Sequence, residues 1–242
     1  MNTIKISAEK KPLMIAHRGC SGLERENTNA AFMAAGNRSY WGIETDVHKT
    51  LDGQYIIIHD DTTGRVAVDD MVVEKSTFDT LRKLVLRNKA THVKDRSDLL
   101  LPSLAEYISI CKYYEKEAVL ELKNAFDEAD IYEICDIIAE LDYLDHTTFI
   151  SFDYNNLVYL RRKLPKQSAQ FLIGKNCPEN WLEMLRMESL DLDIYHKTLT
   201  KEIVDLCHAN GITVNCWTVD KPEDAERVIA LGVDMITSNI LE

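Results

Sequence analysis

The chain is short of basic charge, of long apolar runs and of paired cysteines, and each shortage closes off a class of function. Its 242 residues carry 40 acidic against 28 basic side chains, a formal net charge of −12. That balance excludes the broad basic surface that nucleic acid or an anionic membrane would need. It also means that an anionic ligand requires a local reversal of the field, for which a bound cation is the simplest source. No stretch approaches the roughly 18 apolar residues of a membrane span. The opening M-N-T-I-K-I-S-A-E-K-K-P lacks the apolar core of a signal peptide. Cys20, Cys111, Cys135, Cys177, Cys207 and Cys216 are scattered without C-x-x-C spacing and read as free, mostly buried thiols in a reducing compartment. A cytoplasmic location is therefore expected. No G-x-G-x-x-G follows the first apolar run, which disfavours a dinucleotide fold.

What is there is a regular alternation. A hydrophobic fraction of 45% supports a sizeable core, and α/β barrels commonly reach this length as one domain. Residues 13–16 form a first short strand. Glu26-Asn27-Thr28 supplies capping residues before the helical run N-A-A-F-M-A-A, which Gly36 can close. Residues 42–48 form a second strand, and Asp52-Gly53 is a hairpin signal leading into Y-I-I-I. From 103 onward, helices at 103–115, 128–140, 154–163, 179–187, 200–209 and 222–230 alternate with strands at 118–123, 148–152, 169–173, 190–194, 212–217 and 235–237. Gly211 and Gly232 fall where helix C-caps belong. Eight strands alternating with helices, without a topological break, predict a single (β/α)8 barrel over residues 1–242. The segment 60–101 is too long for an ordinary connection and reads as a lid-like insertion after the second strand, with one short helix at 77–84. Between Thr80 and Arg96, the basic residues Arg82, Lys83, Arg87, Lys89, Lys94 and Arg96 face Asp95 alone, so this stretch is either an anion attractor or a solvated face.

In such a barrel the functional groups lie at the carboxyl ends of the strands. His17 and Arg18 follow the first strand, and Glu44 and Asp46 share one face of the second. His59 ends the hairpin, while Glu121 and Lys123 share a face of the third barrel strand. Glu44, Asp46 and Glu121 are hard oxygen donors suited to Mg²⁺ or Ca²⁺ rather than zinc. The competing reading is that the carboxylates are buried partners of arginine or lysine. His17 and His59, each abutting a strand end, are candidates for acid/base work. Arg18 can grip a phosphoryl group bidentately and Lys123 as a point charge. Trp217 is either core or an apolar wall of the site. His48 shares the Glu44/Asp46 face but lies farther along the strand, outside the expected site. His92, His146, His196 and His208 receive no role, and Cys20 lacks the surroundings of a nucleophile.

These residues resemble the glycerophosphodiester phosphodiesterase family. The resemblance runs through H-R-G (17–19), E-N-T (26–28), A-F (31–32), I-E-T-D-V (43–47), T-L-D-G (50–53) and I-H-D (58–60). It continues through L-P-S-L-A-E (101–106), L-E-L-K (120–123) and W-T-V (217–219), and so covers essentially the whole chain. It implies a TIM barrel with an insertion after the second strand, and a catalytic layout similar to that of bacterial phosphoinositide phospholipases C. It further implies His17 and His59 as the acid/base pair, Glu44, Asp46 and Glu121 as metal ligands, and Arg18 and Lys123 as phosphate contacts. Two positions depart from the pattern. Arg25 replaces the proline before E-N-T, and T-S-N-I, with Ser238, replaces the usual T-D.

The expected activity is divalent-metal-dependent hydrolysis of a small-molecule glycerophosphodiester to sn-glycerol 3-phosphate and an alcohol. The alternative is a lysophospholipase D or phosphoinositide-type phospholipase C, which would need an apolar approach to the site. A metal amidohydrolase would end its first strand in H-x-H, whereas this one ends in His17-Arg18-Gly19. A non-catalytic anion-binding barrel would have lost site residues, and none is missing. The oligomeric state is not legible in the sequence.

Overall fold

The fold is described for residues 2–89 and 96–242 of a computed structural model. Its strands are β1 (Leu13–Ala16), β2 (Gly42–Lys49), β3 (Tyr55–Ile57), β4 (Glu117–Leu122), β5 (Thr147–Ser151), β6 (Ala169–Ile173), β7 (Asp191–Tyr195), β8 (Val214–Trp217) and β9 (Met235–Ser238). All except β3 pair in parallel, in the order β1-β9-β8-β7-β6-β5-β4-β2. The ring is closed by β1 against β2, with Ile15 beside Gly42 and Ala16 beside Ile43. The molecule is a TIM barrel. β3 is the hairpin partner of β2 and lies outside the ring, antiparallel, with Val47 opposite Ile57.

Side-chain alternation along each strand divides the residues between two environments. On β2, Ile43 and Val47 join the large apolar cluster between strands and helices. Their neighbours Glu44, Asp46 and His48 are buried on the opposite face. The barrel interior holds a smaller apolar cluster of Ile15, Val119, Ile150, Leu172 and Met235, flanked by Trp41 and Trp217. The polar ends of the strands sit above this plug.

The helices are α1 (Asn29–Gly36), α2 (Phe78–Arg82), α3 (Leu104–Tyr113), α4 (Glu128–Glu140), α5 (Tyr154–Lys163), α6 (Trp181–Met187), α7 (Lys201–Ala209) and α8 (Pro222–Leu231). Several begin or end one or two residues inside the sequence-derived bounds, because the bounding residues serve as caps. Ser103 and Thr200 have extended backbones, and their hydroxyls accept from Glu106 N and Ile203 N. Glu106 completes a capping box at α3. Pro222 opens α8, and Gly232 closes it in the left-handed conformation at φ 94°. Gly211 follows the C-cap Asn210 rather than serving as the cap itself.

Residues flanking and within the 60–101 segment form their own apolar cluster, including Ile56, Ile58, Val73, Leu81, Leu86 and Leu101. The expected helix at 77–84 is shorter, Phe78–Arg82. Part of the basic excess is paired with acids. Arg82 pairs with Glu106 at 2.8 Å, and Arg96 pairs with Glu24 at 2.6 Å and with Asp98 at 2.5 Å. Two of the six cations are thus tied to acids outside the Thr80–Arg96 stretch. Lys94, Asp95 and His92 lie outside the described residues.

Candidate active site

The carboxyl ends of β1, β2 and β4, with the loop after β3, bring together every charged residue singled out from the sequence. His17, Arg18, Glu44, His59 and Glu121 line one cavity of about 70 Å³, together with Ile150, Phe152, Leu172, Asp193, Trp217, Thr218 and Thr237. Asp46 lies directly behind it, opposite Glu121 in the β2–β4 register. Lys123 is one residue past the end of β4 but continues alongside β2, its N–H donating to Val47 O.

Glu44, Asp46 and Glu121 are all buried, and one oxygen from each lies within 4.8 Å of the other two. Burial and the charges of Asp46 and Glu121 push Glu44 well above the ordinary carboxylate range. Burial and the Asp46 charge push Glu121 up to about 8, although Lys123 donates to its Oε1 at 2.8 Å. Asp46 goes the other way. Burial opposes its ionisation, but Arg18 (Nε at 3.6 Å), His59 and Lys123 (Nζ at 3.7 Å) hold it below its usual value. Asp46 Oδ1 is nevertheless buried without a hydrogen-bond partner. Three converging carboxylates, two of them raised and one with an orphaned oxygen, make an arrangement that a divalent cation would complete. The all-oxygen donor set fits a hard ion.

The two histidines flank this cluster. His17 Nε2 is 4.0 Å from Glu44 Oε2, and its Nδ1 is 2.8 Å from Asn239 Oδ1. Burial, reinforced by the Arg18 charge, lowers His17 to about 4. His59 Nδ1 is 2.6 Å from Asp60 Oδ1, and burial lowers this ring as well. His48, set outside the site by its position along β2, is fully buried behind His59, its Nε2 3.3 Å from the His59 carbonyl. Cys20 is buried and its thiol raised by burial, the opposite of a nucleophile's environment.

Trp217 combines both readings, packing on the inner apolar cluster and facing the cavity. It lines the cavity and makes edge-to-face contact with Phe152, ring centres 5.6 Å apart, and a tilted contact with Tyr195 at 5.5 Å.

The sequence profile described as the Glycerophosphoryl diester phosphodiesterase family matches residues 17–242. The chain belongs to that family. With it, the chain belongs to the phosphoric diester hydrolases. A glycerophosphodiester phosphodiesterase from Caldanaerobacter subterraneus is 31% identical over 231 residues, covering 95% of this chain and 94% of the relative. Among solved structures, an Oleispira antarctica phosphodiesterase in complex with the product sn-glycerol-3-phosphate superposes with a TM-score of 0.86. It is 26% identical, covering 95% of this chain and 93% of that one. A glycerophosphodiester phosphodiesterase from Thermotoga maritima shares the fold at a TM-score of 0.75 and 24% identity, covering 96% of each chain.

The residues that sequence reasoning missed are those that hold the family's charged groups in place. Only Thr28 of E-N-T acts as a cap, its Oγ1 accepting from Ala31 N. Asn27, with φ 53°, donates to Asp46 Oδ2 at 2.8 Å and accepts from Thr45 Oγ1 at 2.8 Å. Glu26 accepts from Arg18 Nη1 at 2.8 Å. The motif looked like helix-start chemistry because its helix-capping residue is real, and two site contacts share the same three positions. The departures are also accommodated. Arg25 is buried and donates through Nε to the Arg87 carbonyl at 2.6 Å, joining the start of α1 to the 60–101 segment. Beside Ser238, Asp220 supplies a carboxylate, 3.2 Å from the serine hydroxyl.

Proposed function

We propose that this chain hydrolyses glycerophosphodiesters to sn-glycerol 3-phosphate and an alcohol, with Glu44, Asp46 and Glu121 holding a divalent cation. The observation that carries this reading is the convergence of His17, His59, Arg18, Glu44 and Glu121 on one cavity of a family barrel, with Asp46 and Lys123 packed against those carboxylates. The relative bound to sn-glycerol-3-phosphate supports the substrate class. A Mg²⁺ or Ca²⁺ ion at the carboxylates would neutralise phosphate charge and make the phosphorus more electrophilic.

The chain's own residues supply the rest. One of His17 and His59 takes the proton of the attacking hydroxyl, from water or from the substrate's own glycerol 2-hydroxyl. The other delivers a proton to the leaving alkoxide as its P–O bond breaks. Attack by the 2-hydroxyl gives a cyclic glycerophosphate, which water then opens to glycerol 3-phosphate with the two histidine roles exchanged. Arg18, anchored by Glu26, presents its guanidinium to the phosphoryl oxygens. Lys123 carries a positive charge, which the neighbouring Glu121 and Asp46 favour although burial opposes it. Trp217, Phe152, Ile150 and Leu172 form the apolar side of the cavity and exclude water from the reacting centre.

The test is release of glycerol 3-phosphate from a panel of glycerophosphodiesters, with EDTA and then with Mg²⁺ or Ca²⁺ restored. Chelator-sensitive release from a small glycerophosphodiester is expected. Release from lysophospholipids alone would overturn the substrate class, and release unaffected by chelation would overturn the metal. His17→Ala and His59→Ala should each lose roughly 10²- to 10⁴-fold in kcat while keeping their circular dichroism and melting behaviour. Near-normal turnover in either variant removes that histidine from the mechanism.

A further inference from the structure

We propose that Asn239 and Asp220 form a positioning pair that fixes the orientation and tautomer of His17. The inference rests on the reading of His17 as an acid/base residue and adds two residues to which the sequence assigned no role.

Asn239 follows β9, and Asp220 lies in the loop between β8 and α8, so the pair bridges the last two strands of the ring. Asp220 receives three donors from this corner. They are the backbone N–H of Asn239 to Oδ1 at 2.8 Å, the Asn239 side-chain Nδ2 to Oδ2 at 2.6 Å, and the Ser238 hydroxyl to Oδ1 at 3.2 Å. An ionised carboxylate only accepts, so the NH₂ end of the Asn239 amide must face Asp220. The opposite end is then necessarily the carbonyl oxygen. It lies 2.8 Å from His17 Nδ1 and 2.5 Å from the Ser21 hydroxyl.

An amide oxygen cannot donate, so His17 must carry a hydrogen on Nδ1 to make that bond. In the neutral ring the unprotonated nitrogen is therefore Nε2, the atom on the Glu44 side, 4.0 Å from Oε2. Asp220 sets which way the amide points, and the amide sets which imidazole nitrogen is free. The last step places that free nitrogen toward the cavity where substrate binds. The hydrogen bonds of the Asp220 carboxylate go to Asn239 and Ser238 and not to His17, so its part is to orient Asn239. The backbone adds a second restraint, since His17 N–H donates to Ser238 O at 2.9 Å. Ring and backbone of His17 are thus both held by the residues that end β9.

The test uses single and double variants of the full chain, read as steady-state kcat and KM for glycerol 3-phosphate release with saturating divalent cation. Asn239→Ala should lower kcat roughly 10- to 100-fold with KM changed little, the range seen when a group that orients a functional histidine is lost. Asn239→Asp alone should also be impaired, because it sets two carboxylates against each other. Asp220→Asn alone should be impaired as well, because it lets the amide turn its NH₂ toward His17. The combination Asn239→Asp with Asp220→Asn restores a donor facing an acceptor, leaves an oxygen facing His17 Nδ1, and should recover most of the lost kcat. A nitrogen-15 spectrum should show the His17 hydrogen on Nδ1 in the wild type and the double variant. A double variant that is folded but no better than either single overturns the proposal. So does Asn239→Ala with wild-type kcat while His17→Ala is inactive. If His17→Ala is itself near normal, the acid/base reading fails first.

Discussion

His59 and Asp60 are neighbours in sequence and a hydrogen-bonded pair in space, Nδ1 to Oδ1 at 2.6 Å. Asp60 is in turn held by Arg65, whose Nε lies 2.5 Å from Oδ2 and whose Nη1 and Nη2 grip Glu26 at 2.6 and 2.8 Å. Glu26 also takes Arg18. One string of alternating charges therefore connects a histidine of the proposed acid/base pair to the proposed phosphate contact, so neither side chain is set by its own strand alone. The two histidines are backed differently: His59 by a carboxylate, which favours its protonated form, and His17 by a neutral amide.

Asp60→Asn should lower kcat by roughly 10- to 100-fold with little effect on KM. The asparagine can keep an oxygen toward His59 only by aiming its NH₂ group at Arg65, where two donors then face each other. Steady-state kinetics on a glycerophosphodiester would check this, and an unchanged kcat would separate Asp60 from the function of His59.

Arg65→Met removes the centre of the string, and its consequence is acid sensitivity. Glu26 and Asp60 are both held at about 2, below their ordinary values of 4.5 and 3.8; burial opposes this, and it is outweighed by the hydrogen bonds and charge of Arg65 together with those of Arg18 at Glu26 and of His59 at Asp60. A depressed carboxylate contributes stability that is present above its unfolded value and lost as pH falls through its folded value. The wild type should thus draw on these two groups down to about pH 2. In Arg65→Met the contribution should be smaller and exhausted at a higher pH, moving the acid-unfolding midpoint upward. Acid titration followed by circular dichroism measures it, and coincident midpoints would show that the string does not bear on stability.

The fold and the charged centre were legible in the sequence for the same physical reason. Strand-helix alternation is written in apolar periodicity, and the side-chain alternation that buries Val47 on one face of β2 places Glu44 and Asp46 on the other. The residues that hold the site were not legible, because their roles depend on contacts between distant segments. His17 reaches Asn239 across 222 positions and Arg65 reaches Glu26 across 39. The same limit hid the partners of the basic stretch, since Glu106 and Glu24 lie 24 and 72 positions from Arg82 and Arg96.

The raised carboxylates make the stability of the cation-free protein depend on pH in the opposite sense to the Arg65 string. Glu121 sits at about 8 against an ordinary 4.5, from burial and the Asp46 charge. Such a group favours the folded state below its unfolded value and loses that contribution as pH rises through its folded one. With EDTA present, the melting temperature should therefore fall between about pH 5 and pH 8. Saturating Mg²⁺ or Ca²⁺ should raise it most at the alkaline end, because binding stabilises the folded state and requires ionised ligands. Glu121→Gln should flatten the dependence and weaken the response to cation. A melting temperature independent of pH under chelation, or equal cation responses in wild type and Glu121→Gln, would remove Glu121 from the cation site.

Gly19, the last residue of H-R-G, has a role that can be separated from chemistry. Its φ is +73°, and a Cβ built there would lie 2.6 Å from the Ala31 carbonyl carbon and 2.8 Å from the Ala31 Cβ. The backbone at this point turns β1 onto the first turn of α1: Gly19 N–H donates to Glu44 O at 3.1 Å, and Cys20 N–H donates to Ala31 O at 2.9 Å. The same turn aims the Arg18 N–H at Glu44 Oε2, 2.8 Å away. Gly19→Ala thus meets two penalties, the left-handed backbone and a clash with main-chain atoms that cannot rotate away. Gly53 offers the control, since its φ is +77° but its added Cβ would meet only the far end of Lys49, at 3.9 Å. Gly53→Ala should cost about 1 kcal/mol, the backbone penalty alone. Gly19→Ala should cost clearly more and should also lower activity, because displacing the turn moves His17 and Arg18. Urea unfolding of both variants provides the comparison. Equal costs would mean that the close approach to Ala31 relaxes freely and that the glycine of this motif is there for its backbone angle alone.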